Sequence, residues 1–167
     1  MGDFDLRALA LEKAIQINPN DTQLLFNIAY SYSENNNQIM ALNHYKTLLL
    51  FDPKYAMGIN NLGVIYDKLK MPLNSVDQYK KAAELGETLS NANLAYLYLS
   101  AGFYDEASEI LDKAKQRDSI HANVGSAIAA LSQNRDEENE TEKKLLELAG
   151  KQQRFLLEFA EAYFIES

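Results

Sequence analysis

The sequence contains no cysteine, so it can form neither a disulfide bond nor a thiolate metal site. Its seven glycines are scattered, and no glycine-rich phosphate loop is present. The two histidines, His44 and His121, lie far apart, and neither has a carboxylate at metal-ligand spacing, so both are expected to be surface or capping residues. These absences predict a chain that is not an enzyme and that binds no metal or cofactor.

The formal net charge of −8 argues against two classes of partner. Nucleic-acid backbones and anionic membrane surfaces attract cationic proteins, so neither is expected to bind here. No apolar run reaches the length of a membrane span, and no basic segment followed by an apolar one opens the chain as a signal would. The sequence does not identify the compartment, although a cytoplasmic location is favoured.

Hydrophobic residues make up 47% of the 167 residues, so the chain can build a sizeable core, and a single domain over residues 1–167 is expected. The few prolines mark a repeat. Pro19 and Pro53 lie 34 residues apart. Each follows a helical apolar run and an Asn or Asp. Because proline cannot continue the helical hydrogen-bond ladder, each is expected to end a helix and open a turn.

Three similar helical segments recur, the second 34 residues after the first and the third 32 residues after the second. In each, a large apolar residue and a tyrosine lie one helical turn apart and so share a face, while a small residue lets the partner helix approach closely. These segments are Asn27-Ile28-Ala29 with Tyr32, Asn61-Leu62-Gly63 with Tyr66, and Asn93-Leu94-Ala95 with Tyr98. A second helix is predicted after each segment, with inward positions Ala41 and Tyr45, Ser75 and Tyr79, and Ala107 and Leu111.

This pattern resembles the tetratricopeptide repeat family, whose motif runs from a large residue through Leu-Gly or Leu-Ala, Tyr, Ala, an aromatic residue and Ala to Pro. The resemblance implies an all-α fold, a right-handed α-α superhelix of antiparallel helix pairs. Residues 22–55, 56–87 and 88–117 form the predicted repeats, with Glu87 in place of the proline before the third. Residues 80–86 are also similar to a Sel1-type repeat, which ranks second because that family's further glycines are missing.

The two ends of the chain resemble the repeats less closely. Residues 4–20 are predicted to be a half repeat, the second helix of a pair whose first helix is absent. Residues 118–149 are predicted to be a divergent repeat with helices over 119–133 and 136–149, and residues 151–165 a capping helix. The broad apolar face of this last helix also suits a homodimer surface, and the sequence leaves that alternative open.

In the tetratricopeptide family, the first helix of each pair lines a concave groove that holds an extended peptide or a partner segment. Subtracting the core positions from each first helix leaves the residues expected to face this groove. One residue type recurs there at one position, in Asn27, Asn61 and Asn93, with Asn123 as a fourth copy. The subtraction leaves Gln23, Phe26, Asn27, Tyr30 and Glu34 in the first repeat, Met57, Asn60, Asn61, Val64, Asp67 and Lys68 in the second, and Leu89, Ala92, Asn93, Tyr96 and Ser100 in the third. The residues predicted to bind the peptide are Phe26, Asn27, Tyr30, Asn60, Asn61, Val64, Lys68, Asn93, Tyr96 and Asn123.

A ladder of asparagines suits an extended peptide because each carboxamide can both donate to a main chain and accept from it. The alternative is that the asparagines bond only to neighbouring repeats or to water. Groove positions that would need cations to grip an acidic C-terminal tail hold Phe26, Asn60, Met57 and Leu89 instead. We therefore expect a peptide-binding interaction module that does not recognise such tails. A structural or self-associating scaffold within a larger protein is the alternative function.

Overall fold

The computed structural model describes residues 3–115 and 122–164, which form eight α-helices and no strand. By their internal contacts, the residues divide into two compact units, Met1–Ile128 and Ala129–Ser167. The helices are α1 (Asp3–Ile15), α2 (Thr22–Glu34), α3 (Gln38–Phe51), α4 (Ala56–Lys68), α5 (Pro72–Glu84), α6 (Leu89–Ser100), α7 (Tyr104–Lys115) and α8 (Ala122–Phe164).

Helices α1 to α7 pack as a solenoid. Each of them contacts the next along the chain, and in addition α2 contacts α4 and α4 contacts α6. The helices α2, α4 and α6 therefore lie side by side, and we call them the first helices. Each is followed by a second helix, α3, α5 or α7. The predicted all-α solenoid of helix pairs is confirmed.

The core runs continuously from one helix pair to the next. Ala29, Ala41 and Tyr45 of the first pair form one buried cluster with residues of α4, namely Leu62, Ile65 and Tyr66. Because a single helix pair cannot bury both of its faces, this shared core stabilises each pair through its neighbour. Removing one pair would expose apolar surface on the next.

Gly63 marks the closest approach between α4 and α5. A Cβ atom added at this position would lie 2.6 Å from Cε1 of Tyr79, closer than side chains come to one another. The hydroxyl of the buried Ser75 donates to the Gly63 carbonyl at 2.9 Å, which holds the two helices together at the same level. The small residue predicted from the repeat pattern thus makes room for an aromatic ring of the second helix.

Three turns between first and second helices share one backbone geometry. Asn36, Lys70 and Gly102 adopt positive φ angles of 58°, 60° and 79°. In each turn, the carbonyl of the repeat tyrosine accepts a hydrogen bond of 2.9 Å from the residue after the positive-φ position. This pattern is the Schellman motif, which ends a helix while satisfying its last carbonyls. Gly86 ends α5 in the same way, one residue before Glu87, which stands where the first repeat has Pro53.

His44 lies in a cluster that joins α1, α2 and α3, and not on the open surface predicted for it. Its Nε2 is 3.4 Å from Oε1 of Glu12, and its ring stacks on Tyr32 with centroids 5.6 Å apart. The hydroxyl of Tyr32 donates to the same Glu12 oxygen at 2.7 Å. This contact could not be predicted from the sequence because Glu12 and His44 lie on different helices, α1 and α3, with all of α2 between them. His121 lies outside the described residues.

The C-terminal part differs from the prediction. The sequence predicted a divergent pair with helices over 119–133 and 136–149, followed by a separate helix over 151–165. This prediction is wrong, because α8 runs unbroken over 43 residues from Ala122 to Phe164. The predicted breaks contain no proline, and Gly150 alone costs a helix only about 1 kcal/mol relative to alanine. The dimer surface predicted for 151–165 rests on side chains that lie outside the described ones. No helix among the described residues is long and apolar enough to cross a membrane.

Candidate functional site

The three repeat asparagines lie at one level of the first helices, and all are half-buried. Asn27 accepts from Nε2 of Gln23 at 3.4 Å. Asn61 accepts from Nδ2 of Asn60 at 3.1 Å and donates to the Tyr45 hydroxyl at 3.1 Å. A carboxamide has two N–H donors and two lone pairs on its oxygen, so these bonds use only part of its capacity. The side chains are held in place and still have hydrogen bonds to offer.

Asn60 is not on the surface where the sequence placed it. Only 3% of it is exposed, and its oxygen accepts from the buried hydroxyl of Ser90 at 2.9 Å and from Nδ2 of Asn93 at 3.0 Å. It therefore joins α4 to α6. The subtraction assumed that each first helix has a single core face. In the structure α4 packs against α5 on one side and against α6 on another, so more of its circumference is buried.

Two tyrosines at equivalent repeat positions stand on the outer surface of the first helices. Tyr30 and Tyr96 are each 40% exposed. Phe26 lies beside Tyr30, with ring centroids 6.4 Å apart, and is itself held by stacking on Tyr55 at 5.5 Å and by an edge contact with Tyr45 at 5.9 Å. Phe26 thus supports the exposed ring of Tyr30 from within. Aromatic rings of this kind offer a large contact area with few rotatable bonds.

A crevice opens between α2 and α4, and we call it the first crevice. Its volume is about 80 Å³. Lys68 lines the wall of this crevice and donates from Nζ to Oγ of Ser33 at 3.4 Å. At its base, burial raises the pKa of Tyr45, while the hydrogen bond from Asn61 lowers it in part. The lining residues, four of which the sequence predicted, are Tyr30, Ser33, Glu34, Tyr45, Asn61, Val64 and Lys68.

A larger crevice lies one repeat further on, between α4 and α6, and we call it the second crevice. Its volume is about 250 Å³. Burial and, to a smaller extent, the nearby charge of Asp67 raise the pKa of Tyr79, so this hydroxyl keeps its proton at neutral pH. Its lining residues are Asp67, Tyr79, Asn93, Tyr96, Leu97 and Ser100. Asn93 and Tyr96 belong to the predicted peptide-binding set, and Asp67 and Ser100 lie on the faces that the sequence assigned to the groove, whereas Tyr79 was assigned to the core.

The repeat spacing contains a signal that could have identified Tyr79 as a residue of the crevice. Tyr79 follows Tyr45 at the same repeat position, but its place in the second helix assigned it to the core. The structure shows that a ring can be buried while its hydroxyl end lines a crevice. Asn123 lies in the first turn of α8 with an exposed side chain, and its place in the ladder stays a prediction.

Sequence comparison agrees with this architecture. Two segments, residues 10–43 and 90–121, match models of the tetratricopeptide repeat. These two segments are therefore tetratricopeptide repeats, as predicted, and they support a protein-interaction or scaffold repeat module. The search of curated proteins found no match.

Solved structures of MamA have a similar fold. One MamA crystal structure aligns with a TM-score of 0.63 at 18% identity, over 83% of this chain and 92% of that one. A second gives 0.62 at 23% identity, over 87% and 82%. A MamA fragment from Desulfovibrio magneticus RS-1 gives 0.63 at 18% identity, over 71% and 70%. At these identities the likeness describes the fold alone.

Proposed function

We propose that this chain is a non-enzymatic interaction module that holds an extended peptide along its first helices. The observation that carries the proposal is the recurrence of asparagine at one repeat position of three adjacent helices. Asn27, Asn61 and Asn93 each keep donor or acceptor capacity beyond the bonds they make within the protein. A row of such groups matches the alternating N–H and C=O groups of an extended main chain.

The internal bonds of the asparagines favour binding. A side chain that is already fixed loses little conformational entropy when a ligand arrives, so its hydrogen bonds contribute more to affinity. Asn61 is fixed by Asn60 and Tyr45, and Asn93 is fixed by Asn60. The exposed rings of Tyr30 and Tyr96 add contact area of the kind that dominates binding energy at interfaces.

A peptide ending in an acidic tail is not the expected ligand. Among the residues that the structure describes, Lys68 is the one cation that lines either crevice, and its Nζ is directed at Ser33. Two carboxylates, Glu34 and Asp67, line the same surface and repel an anion. Calorimetry with a peptide that ends in two acidic residues should detect no binding at micromolar concentrations. A micromolar dissociation constant would contradict this part of the proposal.

The experiment that tests the proposal is selection from a random-sequence peptide library displayed on phage. The parent domain should enrich peptides that bind in solution. Replacing Asn27, Asn61 and Asn93 together by alanine should weaken that binding at least about tenfold, since three hydrogen bonds of about 0.5–1.5 kcal/mol each are lost.

A matched control uses three exposed asparagines elsewhere, Asn20, Asn43 and Asn74. Alanine at these positions should leave peptide binding unchanged, with helicity by circular dichroism equal in both triple variants. If peptides bind both variants equally well, the ladder serves only to join repeats. The scaffold function with an idle first-helix surface then replaces the present proposal.

A further inference from the structure

The two crevices occupy equivalent repeat positions but differ in their polar groups. Tyr79 stands where the first crevice has Tyr45, and Asn93 stands where it has Asn61. Two other positions change their chemistry, because Asp67 replaces Ser33 and Ser100 replaces Lys68. The first crevice therefore contains one carboxylate and one ammonium group, whereas the second contains a carboxylate alone.

The second crevice is rich in hydrogen-bond acceptors. Asn93 directs its amide nitrogen to Asn60, which leaves its oxygen without a partner among the described residues. The hydroxyl of Ser100 donates to the Leu97 carbonyl at 2.8 Å, so the oxygen of Ser100 can accept. Together with the Asp67 carboxylate and the Tyr79 hydroxyl oxygen, these groups outnumber the free donors of the crevice.

Asp67 is placed at some cost to the helix that carries it. It lies in the last turn of α4, where the helix dipole disfavours a negative charge. It forms no ion pair with any residue that the structure describes. A carboxylate at such a position, beside the half-exposed ring of Tyr96, is an arrangement that attracts a cation: the charge supplies an acceptor, and the aromatic face supplies a cation–π contact.

We propose that the second crevice takes a basic side chain, arginine or lysine, of the peptide bound along the first helices. This inference rests on the proposed function, since the crevice borders the asparagine ladder through Asn93. A guanidinium carries five N–H donors and no acceptor, which complements the acceptors around the crevice. A volume of about 250 Å³ accommodates such a group, whereas the first crevice, at about 80 Å³ and with Lys68 in its wall, does not.

The test starts from peptides selected by the parent domain from the random library. Arginine or lysine should be enriched at one position of the selected peptides. One such peptide is then made in two forms, with arginine or with its neutral analogue citrulline at that position. The parent should prefer the arginine form about fivefold, as a partly exposed ion pair with a cation–π contact provides. In Asp67→Asn this preference should fall to about one, since the charge is gone.

The control is Asp77→Asn, which removes an equal charge from an exposed position of α5 outside the crevice. It should keep the preference for arginine. Equal binding of both peptide forms by the parent, or a library without basic enrichment, would overturn the inference. If such peptides still lose affinity in the triple asparagine variant, the proposed function survives that result. A further outcome is that the preference for arginine depends on Asp67 while the triple asparagine variant binds the peptide as well as the parent does. In that case the ladder does not bind the peptide, and the proposal for the second crevice still holds.

Discussion

The first and second crevices are built by the same repeat and yet offer different chemistry. Both have a buried tyrosine at the base and an asparagine beside it. In the first, Asn61 donates to the Tyr45 hydroxyl and Lys68 donates to Ser33, so several of the polar groups bond to one another. In the second, Asn93 donates to Asn60, and the Asp67 carboxylate makes no ion pair with any residue that the structure describes.

The repeat determines the framework of both crevices and leaves their outward-facing residues free to vary. The helix pairs, their turns and the aromatic base recur because the shared core requires them. The outward positions carry no such requirement, so charge and size differ from one repeat to the next. On the proposed function, the specificity of the peptide site therefore comes from the differences between the crevices.

The largest effect is expected from Asn60, which joins the helices on both sides of the second crevice. Asn60→Ala removes the acceptor of the buried Ser90 hydroxyl and the partner of Asn93. A buried polar group left without a partner costs about 1–3 kcal/mol, so we expect a loss of about 2–3 kcal/mol in the free energy of unfolding. Urea unfolding followed by circular dichroism measures it. Asn43→Ala, at an exposed site, should change stability by less than about 0.5 kcal/mol.

A somewhat smaller effect is expected where Tyr79 meets Gly63. Gly63→Ala places a methyl group against the ring, and we expect a loss of about 1–3 kcal/mol from overpacking. Adding Tyr79→Leu reproduces the pairing of Ala95 with Leu111 in the third repeat and should recover part of the loss in a double-mutant cycle. A single variant as stable as the parent would show that the ring shifts freely, and the base of the second crevice would then be adaptable.

Glycine in the turn that follows α4 should change the stability of the fold. Helix α4 is the one that carries Asp67. Lys70 adopts a φ of 60°, a region that side chains disfavour, whereas the equivalent turn of the third repeat uses Gly102. Lys70→Gly is expected to stabilise the fold by about 0.5–1 kcal/mol, and Gly102→Ala to destabilise it by a similar amount. Thermal unfolding compares the two. Equal signs for both changes would contradict the equivalence of the turns.

The smallest effects concern the two buried tyrosines and appear only in alkaline solution. Both hydroxyls have folded pKa values above the ordinary value of 10.0. The folded state keeps these protons where the unfolded state loses them, so their contribution to stability is complete below pH 10 and falls as the pH rises beyond it. Asn61→Ala should raise the pKa of Tyr45 further, because a bond to its oxygen is lost. Asn93→Ala should leave the pKa of Tyr79 unchanged, since Tyr79 receives no such bond from any residue that the structure describes.

Ultraviolet titration of the tyrosines, with Tyr45→Phe and Tyr79→Phe to assign the late steps, follows this comparison directly. A shift of Tyr79 in Asn93→Ala as large as that of Tyr45 in Asn61→Ala would mean that the two crevices have the same hydrogen bonding.

Much of the fold could be predicted from the sequence because the repeat pattern reports on it directly. The positions of Tyr32, Tyr66 and Tyr98 indicate both the inward face of each first helix and the turn that follows it. The place of Asn60 could not be predicted, since its burial depends on contacts with the next repeat. The continuity of α8 was missed because an acidic, proline-free segment permits a turn or a helix, and only packing decides between them.

For the candidate site, the sequence predicts the asparagine ladder, whose role in binding stays a prediction, but not the crevices beside it. Asparagine recurrence is visible in a single sequence, whereas the contribution of Tyr79 depends on where the end of a buried side chain emerges. The role of Asp67 depends on a comparison between neighbouring repeats in space. Both require the geometry of adjacent first helices.

The most direct test of the account follows the asparagine side-chain amides by nuclear magnetic resonance while a library-selected peptide is added. Resonances of Asn27, Asn61 and Asn93 should shift together and saturate at one peptide concentration, while those of Asn43 and Asn74 on the second helices stay in place. Shifts confined to Asn43 and Asn74 would place the ligand on the second helices and contradict a peptide-binding role for the ladder.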